Sequence, residues 1–231
     1  MKLMAAENET LYKHIDEALR KYYEIFLSNG YDKFIANKFK NLSINGDYGA
    51  LAGLAILLHD AGKAHFRYQL NLKRPGISHE AYSAALAWNV LLLNENEKGV
   101  VAATILLHHE YIRLPDPNSI TEEFKGHFEE LKNILDKLSL NYGLRNYLDI
   151  SKITALPRED VRAIIKYLGR KLRDKKFYFH TILNLHPLVI CDNFSASLHR
   201  GGASPKLLED FECSNVTSRI QDHLKKVLRI T

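Results

Sequence analysis

With 231 residues and 46 % hydrophobic content, the chain has apolar material for one large domain or two small ones. Its 32 basic and 27 acidic residues leave a net charge of +5 and a pI near 9.0, which suits a polyanionic partner without demanding one. Two cysteines, Cys191 and Cys213, exclude a disulfide framework and a thiolate zinc site; Met1 to Thr10 holds no signal-peptide core and no apolar run reaches membrane-span length, so a soluble, cytoplasmic protein with no membrane partner is expected.

Glu9 to Leu27 predicts an amphipathic helix with Leu11, Ile15, Ala18, Leu19, Tyr22, Tyr23 and Phe26 on one side, His14 beside that stripe, and Ser28-Asn29-Gly30 as its stop. A shorter helix over Tyr31 to Lys40 leads to a loop, Asn41 to Gly46. The stretch Leu51 to Lys63 comes next. It is an apolar run with no polar face, which predicts a buried helix ending in His59 and Asp60, with Gly62 as a C′ stop and Lys63 one turn on. A carboxylate buried at the carbonyl end of a helix is costly unless a cation meets it, so His59 and Asp60 are candidate metal ligands. The alternative is an aspartate held by local hydrogen bonds and a histidine packed in the core. Ala64 to Leu72 adds a turn or two before Pro75-Gly76.

Ser78 is a plausible N-cap for a helix over Glu80 to Leu93, with His79 at its start. After a polar loop, Asn94 to Lys98, a second apolar run from Val100 to Leu107 ends in His108-His109-Glu110. Arg113 to Asn118, with two prolines, is a loop. Ser119-Ile-Thr-Glu122 has capping-box spacing and predicts a surface helix over Thr121 to Leu138. Asn141 to Thr154 predicts a loop with a short helix, and residues 112–156 together read as an insertion or mobile rim. Pro157 fits the first position of a helix carrying Arg158, Arg162, Lys166 and Arg170 on one face, extended by Lys171, Arg173, Lys175 and Lys176. That face is a candidate nucleic-acid track, set against an ordinary solvated surface. Phe177 to Leu198 is a third apolar stretch, in which Pro187 predicts a kink or two abutting helices and Asp192 follows the run. Beyond Gly201-Gly202, residues 203–231 predict C-terminal helices. With no strand alternation, repeat or low-complexity tract, residues 1–231 read as one all-α domain.

His14, His59, Asp60, His79, His108, His109 and Asp192 all border apolar helices. Imidazole and carboxylate without thiolate suit a catalytic metal that keeps open positions. The set is too large for one such ion and suits two, bridged by Asp60. Two divalent ions roughly 3.5–4 Å apart polarise a phosphoryl group and generate hydroxide at neutral pH. Lys63 could neutralise charge on a phosphate oxygen.

His59-Asp60-Ala-Gly-Lys63 resembles the signature of the HD superfamily of metal-dependent phosphohydrolases. Ala64-His-Phe-Arg-Tyr68-Gln69, His79-Glu-Ala-Tyr-Ser83-Ala84, Leu107-His108-His109, Asp192-Asn-Phe-Ser195-Ala196 and Tyr12-Lys-His14-Ile-Asp-Glu-Ala resemble, in order and rough spacing, further motifs of the HD nucleases of type I CRISPR systems. The resemblance implies a single HD-domain helical bundle with a metal centre in its core. It implies metal-dependent hydrolysis of phosphodiesters in DNA, mainly single-stranded, with RNA left open. One or two divalent ions (magnesium, manganese or another transition metal) would serve as cofactor. One ion would take His14, His59, Asp60 and Asp192, and the other would share Asp60 and add His79, His108 and His109. Lys63 would assist at the phosphate, with Ser195 nearby. Relatives often carry glycine where this chain has Glu110, which would narrow the substrate path or add charge. Many relatives are fused to a helicase; here no P-loop is present, so a helicase on a separate chain and the CRISPR effector complex are the expected partners.

Of the remaining histidines, His127, His180, His199 and His223 are expected at the surface or at helix ends, and His65 and His186 are secondary candidates for lining the site. Two other functions compete: an HD phosphohydrolase of nucleotides or small phosphate esters, and a non-catalytic assembly subunit with a structural metal.

Overall fold

Strand β1 (Met4–Ala6) pairs antiparallel with β2 (Glu9–Thr10), so the first helix begins two residues after the expected Glu9. The computed structural model describes residues 2–38, 47–109 and 114–200; Glu110, the Asn41 to Gly46 loop and the C-terminal helices expected over 203–231 lie outside them. The hairpin is too short to show alternation, which is why the sequence reads as purely helical there. Helix α1 (Leu11–Lys21) is capped by the Thr10 hydroxyl, which accepts from the Lys13 amide at 3.3 Å. It runs on into a π-helical turn, Tyr22–Leu27, whose Tyr22 hydroxyl donates to the Gly49 carbonyl.

Helix α2 (Tyr31–Lys38) precedes α3 (Tyr48–Leu58), in which every residue is buried and Asp47 caps the amino end. A 3-10 turn (Ala61–Ala64) and the short α4 (Phe66–Leu70) follow. Gly62 is not a left-handed C′ residue, because the positive-φ glycines among the described residues are Gly30, Gly76 and Gly143. Its lack of a side chain serves a close approach instead: a Cβ there would stand 2.1 Å from the His79 carbonyl oxygen. The Gly62 amide donates to Ser83 Oγ at 2.7 Å, fastening the turn to the next helix.

That helix is α5 (His79–Val90), followed by α6 (Glu95–Leu107). Asn94 to Lys98 is not a loop. Asn94 and Glu97 form a reciprocal capping box, so the polar stretch is the first turn of α6. The box expected at Ser119 and Glu122 does not form. Phe124, fully buried, instead pairs across an extended bridge with Leu156, and Gly126 bridges to His65. Helix α7 therefore starts only at Phe128 and runs to Asn141. Between α7 and the next helix come two 3-10 turns, Arg145–Tyr147 and Ile150–Lys152, whose neighbours Leu144, Leu148 and Ile153 are buried in the core.

Pro157 stands at the N-cap of α8 (Arg158–Lys171), one position earlier than expected. Helix α9 (Lys175–Arg200) then runs unbroken through Pro187. Proline leaves the carbonyl four residues earlier without its helical donor. That carbonyl belongs to Leu183, and the buried Tyr31 hydroxyl donates to it at 2.8 Å. The substitute donor explains why two abutting helices are not needed. In the core, α3 lies against α1, α6 and α9, while α5 packs on α6 and α8. Burying so continuous an apolar set, at about 25 cal/mol per Å², supplies the main stabilisation of the fold. No helix among the described residues is long and apolar enough to cross a membrane.

Candidate metal centre

Helices α3 and α6 end side by side, and each ends on a histidine. His59 is the C-cap of α3 and gives its Nδ1–H to the Ile56 carbonyl at 2.7 Å. His108 is the C-cap of α6 and gives its Nδ1–H to the Ile105 carbonyl at 2.6 Å. In both rings this leaves the Nε2 lone pair pointing away from the helix. Helix α1 supplies His14, the first turn of α5 supplies His79, and α9 supplies Asp192.

All seven candidate ligands converge. His14, His59 and Asp192 form one group whose ligand atoms lie within 4.8 Å of one another, and Asp60, His79, His108 and His109 form a second within the same limit. In the first, His14 Nε2 lies 3.0 Å from Asp192 Oδ1 and 3.3 Å from His59 Nε2. In the second, His79 Nε2 lies 2.9 Å from His109 Nε2. Asp60 joins the two: its Oδ2 is 3.2 Å from His14 Nε2, and its Oδ1 is 3.2 Å from His79 Nε2. One carboxylate thus faces both groups with different oxygens, the arrangement a bridging ligand requires. Asp192 and His79 keep 16 % and 13 % of their side chains exposed, and His109 is exposed, so the centre opens on that side.

The donor set fits a divalent cation on a specific ground. His108 Nε2 is buried without a hydrogen-bond partner. Its other nitrogen already donates, so Nε2 is a bare acceptor, costing about 1–3 kcal/mol unless something electron-poor meets it. Asp60 Oδ1 also lacks a well-directed hydrogen bond, although His79 stands close to it. The protonation states agree at His108, His109, Asp60 and Asp192, whereas His14 favours a proton that a cation would have to displace. Burial, with His109 and His59 adding to it, keeps His108 well below the ordinary imidazole value. Burial and His79 do the same, less strongly, for His109. Burial alone would raise the Asp60 carboxyl, yet Lys63, His59, His14 and His79 hold it well below the usual carboxylate range. Asp192 is likewise low, because His14 and His59 outweigh burial. Burial opposes charge on His14, but Asp192, Asp60 and Glu9 overcome it and raise that ring well above its ordinary value.

The ligands have a supporting layer, part of which sequence reasoning did not find. Glu9, at 1 % exposure, accepts from His14 Nδ1 at 2.8 Å and so turns Nε2 toward the two aspartates. Only its position five residues before His14 could have marked it. Ser195 Oγ donates to the His14 carbonyl at 2.9 Å and lies 3.1 Å from Nδ1. Lys63 is buried, and its ammonium binds Asp60 Oδ2 at 2.6 Å. Burial works against that charge, but Asp60, Tyr68 and Asp192 more than offset it. The Tyr68-Gln69 pair acts on the backbone. Gln69 Nε2 donates to the Lys63 carbonyl at 2.6 Å and to the Met4 carbonyl, while the Tyr68 hydroxyl donates to the Ala5 carbonyl. Together they tie the N-terminal hairpin to the turn that bears Lys63.

Other sequence candidates lie elsewhere. His65 is the side-chain cap of α4 and packs with Tyr82 and Phe124. His186 packs edge-on against Phe26. His180, expected at the surface or a helix end, is 1 % exposed and lies 3.0 Å from the Tyr48 hydroxyl, because it stands on the face of α9 that is turned to the core, with Phe177 and Thr181. His127 holds the N-cap position of α7, and the side chains of His199 and His223 are outside the described residues. The four basic positions of α8 separate. Arg158 pairs with Glu159, and Arg162 donates to the Ile120 carbonyl at 2.9 Å, whereas Lys166 and Arg170 line a cavity of about 490 Å³.

Among solved structures, the CRISPR-associated Cas3 HD domain protein from Methanocaldococcus jannaschii matches with a TM-score of 0.63 and 24 % identity, covering 82 % of this chain and all of that one. No protein-family model matches the chain, and no curated protein matches it significantly in sequence. The chain thus shares the helical fold of that HD domain protein, with its own His/Asp cluster in the core.

Proposed function

We propose that this chain is a metal-dependent phosphodiesterase of the HD type, a nuclease that hydrolyses DNA, chiefly single-stranded, in CRISPR interference beside a helicase on a separate chain. The observation that carries the reading is the carboxylate of Asp60 set between two histidine groups, one of which contains the partnerless His108 Nε2. The shared fold with an HD domain protein whose name carries the CRISPR association supports it.

His14, His59, Asp60 and Asp192 would hold one divalent ion, and Asp60, His79, His108 and His109 the other. When bound, such ions activate water and polarise a phosphoryl group. The chain's own residues supply the rest. The Nδ1 bonds of His59 and His108 to helix carbonyls fix which nitrogen is offered, so no ring must turn during turnover. Lys63 keeps Asp60 ionised and holds its Oδ2, and it lies too deep to be the first group a phosphate meets. The half-open side at His79, His109 and Asp192 is where a phosphodiester enters.

The test is incubation with manganese and end-labelled single-stranded DNA. Cleavage by the wild type and its loss in Asp60→Ala are expected. Intact oligonucleotides alongside phosphate release from mononucleotides would replace this reading with the small-ester one.

A further inference from the structure

Two open cavities share the walls made by Leu114 and Pro115. One is bounded by Ser78 and Glu80, which flank His79, together with Leu106, Leu114 and Pro115. The other, of about 490 Å³, shares Leu114 and Pro115 and continues along α8 over Ile165, with Lys166, Arg170 and Arg173 on its rim. The result is one furrow that starts beside a candidate ligand and ends among three cations.

Those cations are placed differently from Arg158 and Arg162. Arg158 is paired with Glu159 and borders a different cavity, beside Arg67 and Lys125. Arg162 is spent on the backbone carbonyls of Ile120 and Asn118. Lys166, Arg170 and Arg173 are exposed, and their side chains make no hydrogen bond or ion pair among the described residues. The floor between them is apolar, and Gly169 keeps it low: a Cβ there would press to 3.3 Å of Leu114 Cδ1. Glycine is a poor residue for a helix interior, so its presence at this point suits a surface that must stay concave. The acidic groups on the near stretch are engaged locally. Glu80 accepts from Ser78 Oγ, and Asp116 accepts from the Asn118 amide.

We infer that this furrow seats a polynucleotide strand leading from the metal centre, with backbone phosphates on Lys166, Arg170 and Arg173 and sugars and bases over Leu114, Pro115 and Pro117. The inference rests on the phosphodiesterase reading and adds the path of the strand and the cations that hold it. Phosphates binding those cations release counterions, so affinity through this furrow must fall with salt.

The test compares the wild-type chain with Lys166→Glu/Arg170→Glu/Arg173→Glu and, as a control, Arg158→Glu. Binding of fluorescent oligothymidylate and oligouridylate is followed by anisotropy over a salt series. Manganese-dependent hydrolysis of bis(p-nitrophenyl) phosphate, which needs only the centre, is read in parallel. The triple variant should lose about tenfold or more in affinity for whichever strand the wild type binds, with the salt slope smaller by about two, at about 0.7 per single-strand contact. Its hydrolysis of the small diester and its melting temperature should not change, and Arg158→Glu should behave as wild type. Unchanged strand affinity in the triple variant, with the wild type still binding and cleaving DNA, overturns the furrow and leaves the nuclease reading standing. A wild type that hydrolyses the small diester but binds neither strand overturns both.

Discussion

His59 and His108 occupy equivalent stations: each closes the carbonyl end of a helix whose last two turns are buried, donates Nδ1–H to the carbonyl three residues back, and turns Nε2 into the same chamber, with ring centroids 5.3 Å apart. A helix end carries partial negative charge and unsatisfied carbonyls. Using the imidazole to satisfy one carbonyl removes that cost and fixes the tautomer in the same bond.

Because the two rings serve different groups, their removal should be separable. The wild-type chain is expected to bind two manganese ions, His59→Ala and His108→Ala one each, and Asp60→Ala none with measurable affinity. Activity should drop by about two orders of magnitude in each variant, at or beyond the upper end of what outer-layer changes cost. Titration calorimetry gives the stoichiometry. Identical losses from both histidine variants would mean that the centre does not divide as described.

Glu9 should matter to metal binding although it touches no ligand position except through His14. Glu9→Gln keeps the shape of the side chain and removes the carboxylate that orients Nδ1. Manganese affinity of the His14 group is expected to fall by about 10–100-fold, the usual cost of losing an outer-layer partner. Ser195→Ala, which gives up one hydrogen bond to the His14 carbonyl, should cost only about 1 kcal/mol of stability. Unaltered affinity in Glu9→Gln would reduce that carboxylate to packing.

What was legible in the sequence follows from length scales. The runs Leu51 to Leu58 and Val100 to Leu107 are apolar on every face, so burial was evident, and polar residues at their ends stood out as anomalies. His14 and Asp192 were found by the same contrast. Glu9 was not, because its burial depends on a two-residue strand that no periodicity can announce. The two capping boxes make the point sharply. Asn94 and Glu97 form one inside a stretch too polar to suggest a helix, whereas Ser119 and Glu122 have the spacing but not the outcome. At the second, burial of Phe124 and its bridge to Leu156 outweigh a local preference worth about 1 kcal/mol. Likewise Pro187 signalled a break that a donor from Tyr31, far away in sequence, makes unnecessary.

His65, outside the metal centre, sets a pH dependence of its own. Its Nδ1 accepts from the Arg67 amide at 3.0 Å, and its Nε2–H points to the Glu123 carbonyl at 3.2 Å. Only a neutral ring can do both. Burial lowers its pKa, against the smaller opposing pull of Glu123 and Glu122. The unfolded chain takes up this proton near pH 6.5 while the folded chain resists it, so the unfolded state holds more protons below that point. The contribution of His65 is therefore complete above about pH 6.5 and is lost as the pH falls through the lower, folded value. Asp60 and Asp192, whose carboxyls are held low, lose their contributions only at more acid pH, while His108 and His109, also lowered by burial, lose theirs in the same window but equally in the wild type and in a His65 variant, so they cancel in the comparison. His65→Asn keeps an N-cap acceptor and cannot titrate. In urea unfolding of the metal-free chain, the wild type should lose its advantage over His65→Asn as the pH is lowered from about 7.5 to about 5.5. Parallel pH profiles for the two proteins would show that the His65 ring takes up its proton as readily in the fold as in the unfolded chain, and that its bonds to Arg67 and Glu123 do not hold it neutral.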